Sequence, residues 1–223
     1  SGLSKSGSTY SYAGFEQLVH VSSGIIRFFL DTASQMYNNT KMENSAKPVL
    51  FITPRIQSAV VRDDADRFLF DEIEKISRDQ HPGAPEQMKA QQLSNLIQGL
   101  GGLFRVILLS ERSERRVFSI AFSDTPSEKV IEILKLGVRY GYFHESTIGK
   151  KDSTTGGRTR LYILSRRLAP HFNLDPTGFA GYLFVVNEFV EALTNRPAAA
   201  LRRIKKGGVD DNLLIGQLPL FDE

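Results

Sequence analysis

A chain of 223 residues, 41% of them apolar and with a formal net charge of +3, can bury one large core or two small ones. The absence of cysteine excludes disulfides and thiolate chemistry, and His20, His81, His144 and His171 are too scattered to have the spacing of a zinc site. No uninterrupted apolar run of bilayer length and no secretion-signal pattern is read, so the expectation is a cytoplasmic protein without a membrane partner.

Ser1–Ser8 is a small-residue run of linker type, and the chain reads as a fragment. The first helix is expected over Gly14–Val21, with Phe15, Leu18 and Val19 on one side. Ser22-Ser23-Gly24 breaks it, and a second helix capped by Ser22 or Ser23 runs to about Asn38, its buried stripe being Ile25, Phe28, Phe29 and Met36. After a polar loop, Thr53-Pro54 starts a long helix carrying Ile56, Val60, Phe68, Leu69, Ile73 and Ile76, until His81-Pro82-Gly83 stops it.

Pro85–Leu100 is the next helix, on Met88, Leu93, Ile97 and Leu100, and Gly101-Gly102 marks a kink or turn before an apolar run to Leu109. Val117–Phe122 alternates as a half-buried strand, and Thr125-Pro126 opens a helix that ends at Gly141. Two β-prone runs, Tyr142–Ile148 and Thr159–Leu164, flank a glycine-rich cationic stretch and predict a hairpin with a long basic tip. Asp175-Pro176 is expected to begin a helix through Leu193, followed by a short basic helix over Arg196–Lys206 and an acidic tail.

Charge is segregated along the chain. Lys150–Lys206 holds eleven Lys or Arg against four Asp or Glu, a net +7, so the remainder sums to −4. A segregated basic segment is the footprint of a phosphate-binding surface, and charge runs also occur as merely solvated faces. A helix feeding a hairpin with a cationic tip is the organisation of a winged helix, whose wing grips backbone phosphates. The wing contacts are then Lys150, Lys151, Arg158 and Arg160, extended by Arg166 and Arg167. The preceding helix carries Val130, Ile131, Ile133, Leu134, Leu136 and Val138, which suits burial better than base reading and leaves protein assembly open as an alternative.

Catalytic signals are few. There is no Gly-x-x-x-x-Gly-Lys-Ser/Thr run, so this chain holds no P-loop. Asp63, Asp64 and Asp66 could crowd around a divalent metal as in a nuclease, but a solvated helical face with Arg62 and Arg67 as partners is the favoured reading. At the end of the chain, Gln217-Leu218-Pro219-Leu220-Phe221 resembles the bacterial sliding-clamp-binding pentapeptide, with Gln217 at a pocket rim and Leu218, Leu220 and Phe221 as apolar anchors. The same side chains could instead fold back onto the protein's own core.

Val21-Ser22-Ser23-Gly24-Ile25-Ile26-Arg27-Phe28-Phe29-Leu30-Asp31, followed by Ile52-Thr53 to Arg62, resembles the helical lid of AAA+ ATPases of the origin-recognition initiator class. Tyr10-Ser11-Tyr12 and Leu161 to Leu168 also look like bacterial relatives of that class. The resemblance implies that Arg27 is the second sensor reaching the nucleotide phosphates, and that a winged helix follows the lid. It further implies an ATPase core upstream of Ser1 that supplies ATP, magnesium and homo-oligomer contacts, this chain having no catalytic activity alone. Pairing of Arg27 with Asp31 at helical spacing is the other reading of that arginine. The expectation is thus a mainly helical α+β chain: a lid-like module at 1–80, a winged-helix domain at 81–206 and a flexible tail at 207–223, with DNA and a sliding clamp as partners.

Overall fold

The structure, a computed structural model, describes residues 10–43, 45, 47–78, 85–110, 116–149, 158–177 and 181–207, with backbone only for 85, 86 and 203–207. Two compact units result: Ser1–Glu72 with Arg166–Gly178, and Ile73–Ser165 with Phe179–Glu223. The boundary between them falls at Glu72 and Ile73, where chain order suggested residue 80. Residues 166–178 belong to the first unit, because they carry Leu168, Ala169 and Leu174, all buried, and a buried arginine.

The first unit contains α1 (Phe15–Val21), α2 (Ile26–Glu43), the start of α3 (Pro54–Arg78), and a 3-10 turn at Arg166–Leu168 leading into α6 (Ala169–Phe172). Its core gathers Tyr12, Val21, Met36, Ile56, Val60 and Val61. Tyr12, fully buried, donates its hydroxyl to the carbonyls of Ala169 and Leu174, which satisfies the one polar atom that burial would otherwise penalise. Between α1 and α2 the chain reverses through Ser23 and Gly24, both at positive φ. Ser22 thus closes α1 instead of capping α2, its hydroxyl donating to the Val19 carbonyl.

The buried side of α2 also differs from the expected stripe. Thr32, Met36 and Thr40, one turn apart, face inward, while Ile25 is exposed and Phe28 and Phe29 are half-buried. Each threonine hides its hydroxyl by donating to a carbonyl one turn back, those of Phe28 and Met36, so polar residues occupy an inward stripe that hydrophobicity alone would not assign.

The second unit is built on α4 (Pro85–Leu109), β1 (Val117–Phe122), α5 (Glu128–Arg139), β2 (Phe143–Gly149), β3 (Arg158–Leu164), β4 (Gly181–Val185), α7 (Asn187–Asn195) and α8 (Pro197–Gly207). The sheet order is β2-β3-β1-β4, with β1 antiparallel to β3 and parallel to β4. β1 is an inner strand and is buried throughout, where alternation had suggested one wet face.

Gly101-Gly102 does not end α4, which runs on to Leu109. A Cβ at Gly102 would stand 2.6 Å from Leu201 of α8, and one at Gly99 2.8 Å from Leu193 of α7, so these glycines admit neighbouring helices. Gln87–Leu109 is long and apolar enough to cross a membrane, which corrects the sequence expectation. It is 61% buried inside the protein, with Leu93, Leu96, Ile97, Leu100 and Leu103 at 0% exposure, as a core helix would be.

The helix expected from Asp175 to Leu193 is replaced by β4 and then α7. Asp175 accepts from the Thr177 amide and hydroxyl in a local turn, and Gly-Tyr-Leu-Phe-Val then extends beside β1. The whole is a mainly helical α+β protein with a small mixed sheet.

Candidate functional site

The β2–β3 hairpin is in register from Phe143 opposite Leu164 to Gly149 opposite Arg158. Arg158 and Arg160, two residues apart on β3, are both exposed. The Arg160 Nε lies 3.3 Å from Glu145 Oε1 on β2. A hydrogen bond to Tyr162 and then the Glu145 carboxylate raise the pKa of Arg160, so its charge is secure. Lys150 and Lys151 lie outside the described residues.

The helix before the hairpin, α5, starts at Ser127, whose hydroxyl accepts from the Val130 amide. It buries Val130, Ile133, Leu134 and Gly137, and exposes Lys129, Lys135 and Arg139 among Glu128 and Glu132. Lys89 of α4 pairs with Glu132 at 2.9 Å. Its outer face is therefore of mixed charge.

Arg166 and Arg167 both belong to the first unit. Arg166 is half-buried. Arg167 is a correction to the expected phosphate contacts: it is 8% exposed and binds Asp64 with two hydrogen bonds, Nε to Oδ2 at 2.8 Å and an Nη to Oδ1 at 2.9 Å. Glu72 stands at 3.6 Å, and the rings of Phe28 and Phe68 lie 4.3 and 4.2 Å from the guanidinium carbon. With two donors held by a buried carboxylate and two aromatic rings against the plane, the side chain is committed to the interior.

The same contacts separate the aspartates. Asp64 is held by Arg167, with Arg67 farther off at 3.8 Å, whereas Asp66 pairs with His171 at 2.5 Å. Arg62, expected beside them, donates instead to the carbonyls of Tyr10 and Pro170 and to Asn173. Among the described residues no three acidic or histidine side chains are arranged to hold a metal. Sequence reasoning missed Arg167 and His171 as partners because they lie more than 100 residues along the chain from Asp64 and Asp66.

Arg27, in the first turn of α2, has a side chain 86% exposed, and Asp31 is 3.7 Å away across one helical turn. A solvent-exposed pair of that length is weak, so the guanidinium stays available. Around it α2 exposes Ile26 and Leu30, and exposed Phe15 of α1 packs edge-on against Phe29. Gln217, Leu218, Leu220 and Phe221 of the tail lie outside the described residues.

The family to which the sequence is matched makes this mainly helical α+β chain an AAA+ ATPase-related region. A family model described as ORC-CDC6-like matches residues 2–184, and the chain belongs to that family. Neither the curated proteins nor the solved structures include a match.

Proposed function

We propose that the chain is the DNA-binding C-terminal region of an AAA+ ATPase, holding duplex backbone through the β2–β3 hairpin. The observation that carries this reading is the pair Arg158 and Arg160, exposed and two residues apart on β3, next to a tip whose sequence adds Lys150 and Lys151. The reading needs neither Arg166 nor Arg167. The mixed charge of α5 supports backbone contact over base reading, so affinity is expected to vary little with DNA sequence.

Four phosphate contacts predict that log K falls with log salt at a slope of about −3.6. Fluorescence anisotropy with a short duplex between low and moderate salt measures it, and Arg158→Ala with Arg160→Ala should flatten the slope by about 2. Undetectable binding at low salt, or a slope unchanged in the double variant, sinks the reading.

The rest of the proposal concerns the longer protein. Arg27 acts as the second sensor for ATP and magnesium held by a core upstream, and the chain alone is not an enzyme. The tail recruits a sliding clamp through Gln217, Leu218, Leu220 and Phe221. A second reading, a protein-assembly module of an ATPase ring or defence-type complex, is favoured by exposed Phe15, Ile26 and Leu30, which suit a protein partner. Light scattering and cross-linking of the longer protein distinguish it.

A further inference from the structure

Among the described residues β4 ends the sheet, paired with β1 on one side only. The Gly181 amide donates to the Arg116 carbonyl, and the Val185 carbonyl accepts from the Ser123 amide, so the odd-numbered residues turn their peptide groups toward β1. Peptide groups alternate along a strand, and the N–H and C=O of Tyr182 and Phe184 therefore point to the outer edge.

Edges of this kind are ordinarily guarded by charge, proline or a bulge. The other edge strand, β2, is guarded: it carries His144 and Glu145, the latter engaged with Arg160. Gly181-Tyr182-Leu183-Phe184-Val185 has no charge and no proline, and it exposes Tyr182 at 42% and Phe184 at 36%, their rings 5.5 Å apart.

We propose that this edge is a self-association surface, at which two copies of the chain pair their β4 strands antiparallel about a two-fold axis through Leu183. The strand reads the same in both directions by side-chain class, aromatic-Leu-aromatic. The axis therefore sets Tyr182 opposite Phe184 of the second copy, twice, with both peptide groups of each pair hydrogen-bonded, and brings the four rings to one face. Leu183 meets its own copy in the closer, non-hydrogen-bonded register.

Charge is complementary in that direction alone. Arg116 adjoins the start of β4, while Asp124, which accepts from the Asn187 amide, and Glu188 adjoin its end, and antiparallel pairing sets each start against the other's end. The acidic pair and the lack of any cation on β4 argue against a nucleic acid as the occupant. Five residues per strand fall short of the roughly 1,600 Å² of a standard interface, so the dimer is weak and concentration-dependent.

Sedimentation equilibrium of the 223-residue chain from about 10 µM to about 1 mM, a range suited to interfaces below standard size, should show a monomer–dimer equilibrium. Tyr182→Lys with Phe184→Lys, at exposed positions, should raise the dissociation constant at least about tenfold, like charges directly opposed across strands being destabilising, with an unchanged circular dichroism spectrum. Leu183→Cys gives a sharper test, since the chain has no other cysteine and the register puts the two Cα atoms about 4.5 Å apart, within disulfide reach. On mild oxidation it should yield a covalent dimer, while Ser146→Cys on β2 stays monomeric. The proposal is overturned if the wild type is monomeric throughout, if the lysine pair leaves association unchanged, or if Leu183→Cys fails to cross-link while the wild type associates. A monomer that binds oligonucleotide and loses it on Tyr182→Ala would assign the surface to nucleic acid and overturn the proposal equally.

Discussion

Arg27 and Arg167 each stand beside an aspartate, the first in solvent and the second in the interior. Removing the Arg167 guanidinium leaves the Asp64 carboxylate buried without its partner, which costs about 3 to 5 kcal/mol. Arg27→Ala removes a solvated cation from an exposed helix and should stay within about 0.5 kcal/mol of the wild type. Urea denaturation of the two variants decides the matter: equal midpoints would mean that Arg167 is not the interior clamp that its contacts with Asp64, Phe28 and Phe68 describe. Replacing Asp64 and Arg167 together with apolar residues of similar volume should recover most of the loss, because no lone charge then remains.

Among elements, one carboxylate of α7 ties that helix to the residue that caps α5. Glu191 accepts from the Ser127 hydroxyl at 2.8 Å and from Asn187 Nδ2 at 3.0 Å, and those two hydrogen bonds, Ser127 first, lower its pKa below the ordinary 4.5. A lowered carboxyl contributes stability above its unfolded pKa, and that contribution is lost as pH falls from 4.5 toward the folded value. Thermal melts of Glu191→Gln should therefore differ from wild type at neutral pH and converge with it in acid; parallel acid profiles would remove the role. Gly137 supplies a second test. A Cβ there would overlap the Phe143 ring and approach Leu93 to 3.0 Å, so Gly137→Ala should cost about 1 to 3 kcal/mol despite the better helix former. Gly102→Ala meets chiefly the mobile tip of Leu201, and the gain in helix propensity of about 1 kcal/mol should largely offset it. A destabilised Gly102→Ala together with a neutral Gly137→Ala in urea would contradict this account.

Elements with a sustained period were legible before any coordinates. α3 and α4 announce themselves through apolar residues at helical spacing, and the β2–β3 hairpin through two β-prone runs around a glycine-rich tip. β4 was not legible: five residues of mixed propensity after Asp175-Pro176 look like the first turns of α7, and only pairing with β1 extends them. The inward face of α2 was hidden for a different reason, since Thr32 and Thr40 become apolar in effect once their hydroxyls bond back to the helix. Of the candidate site, Arg158 and Arg160 follow from position in the hairpin, whereas nothing local separates Arg167 from Arg166. The distinction is made by Asp64, 103 residues away.

At the scale of the molecule, the two units interleave along the chain. Arg166–Gly178 completes the first unit after β1, β2 and β3 of the second have been laid down and before β4. A fragment ending near residue 80 would lack Arg167, the Ala169 and Leu174 carbonyls that receive the Tyr12 hydroxyl, and Leu168. It should show no cooperative melt by circular dichroism, while the 223-residue chain melts cooperatively. A fragment that unfolds as sharply as the whole would show that the returning segment is dispensable.

This threading has a temporal side. During synthesis the first unit emerges early but waits for its last pieces until Arg167 and Leu174 have followed the hairpin out of the ribosome. Until then Asp64 lacks Arg167 and the Tyr12 hydroxyl lacks its two carbonyls, so the helices of the first unit are completed after strands that come later in the chain, and order of manufacture is not order of completion.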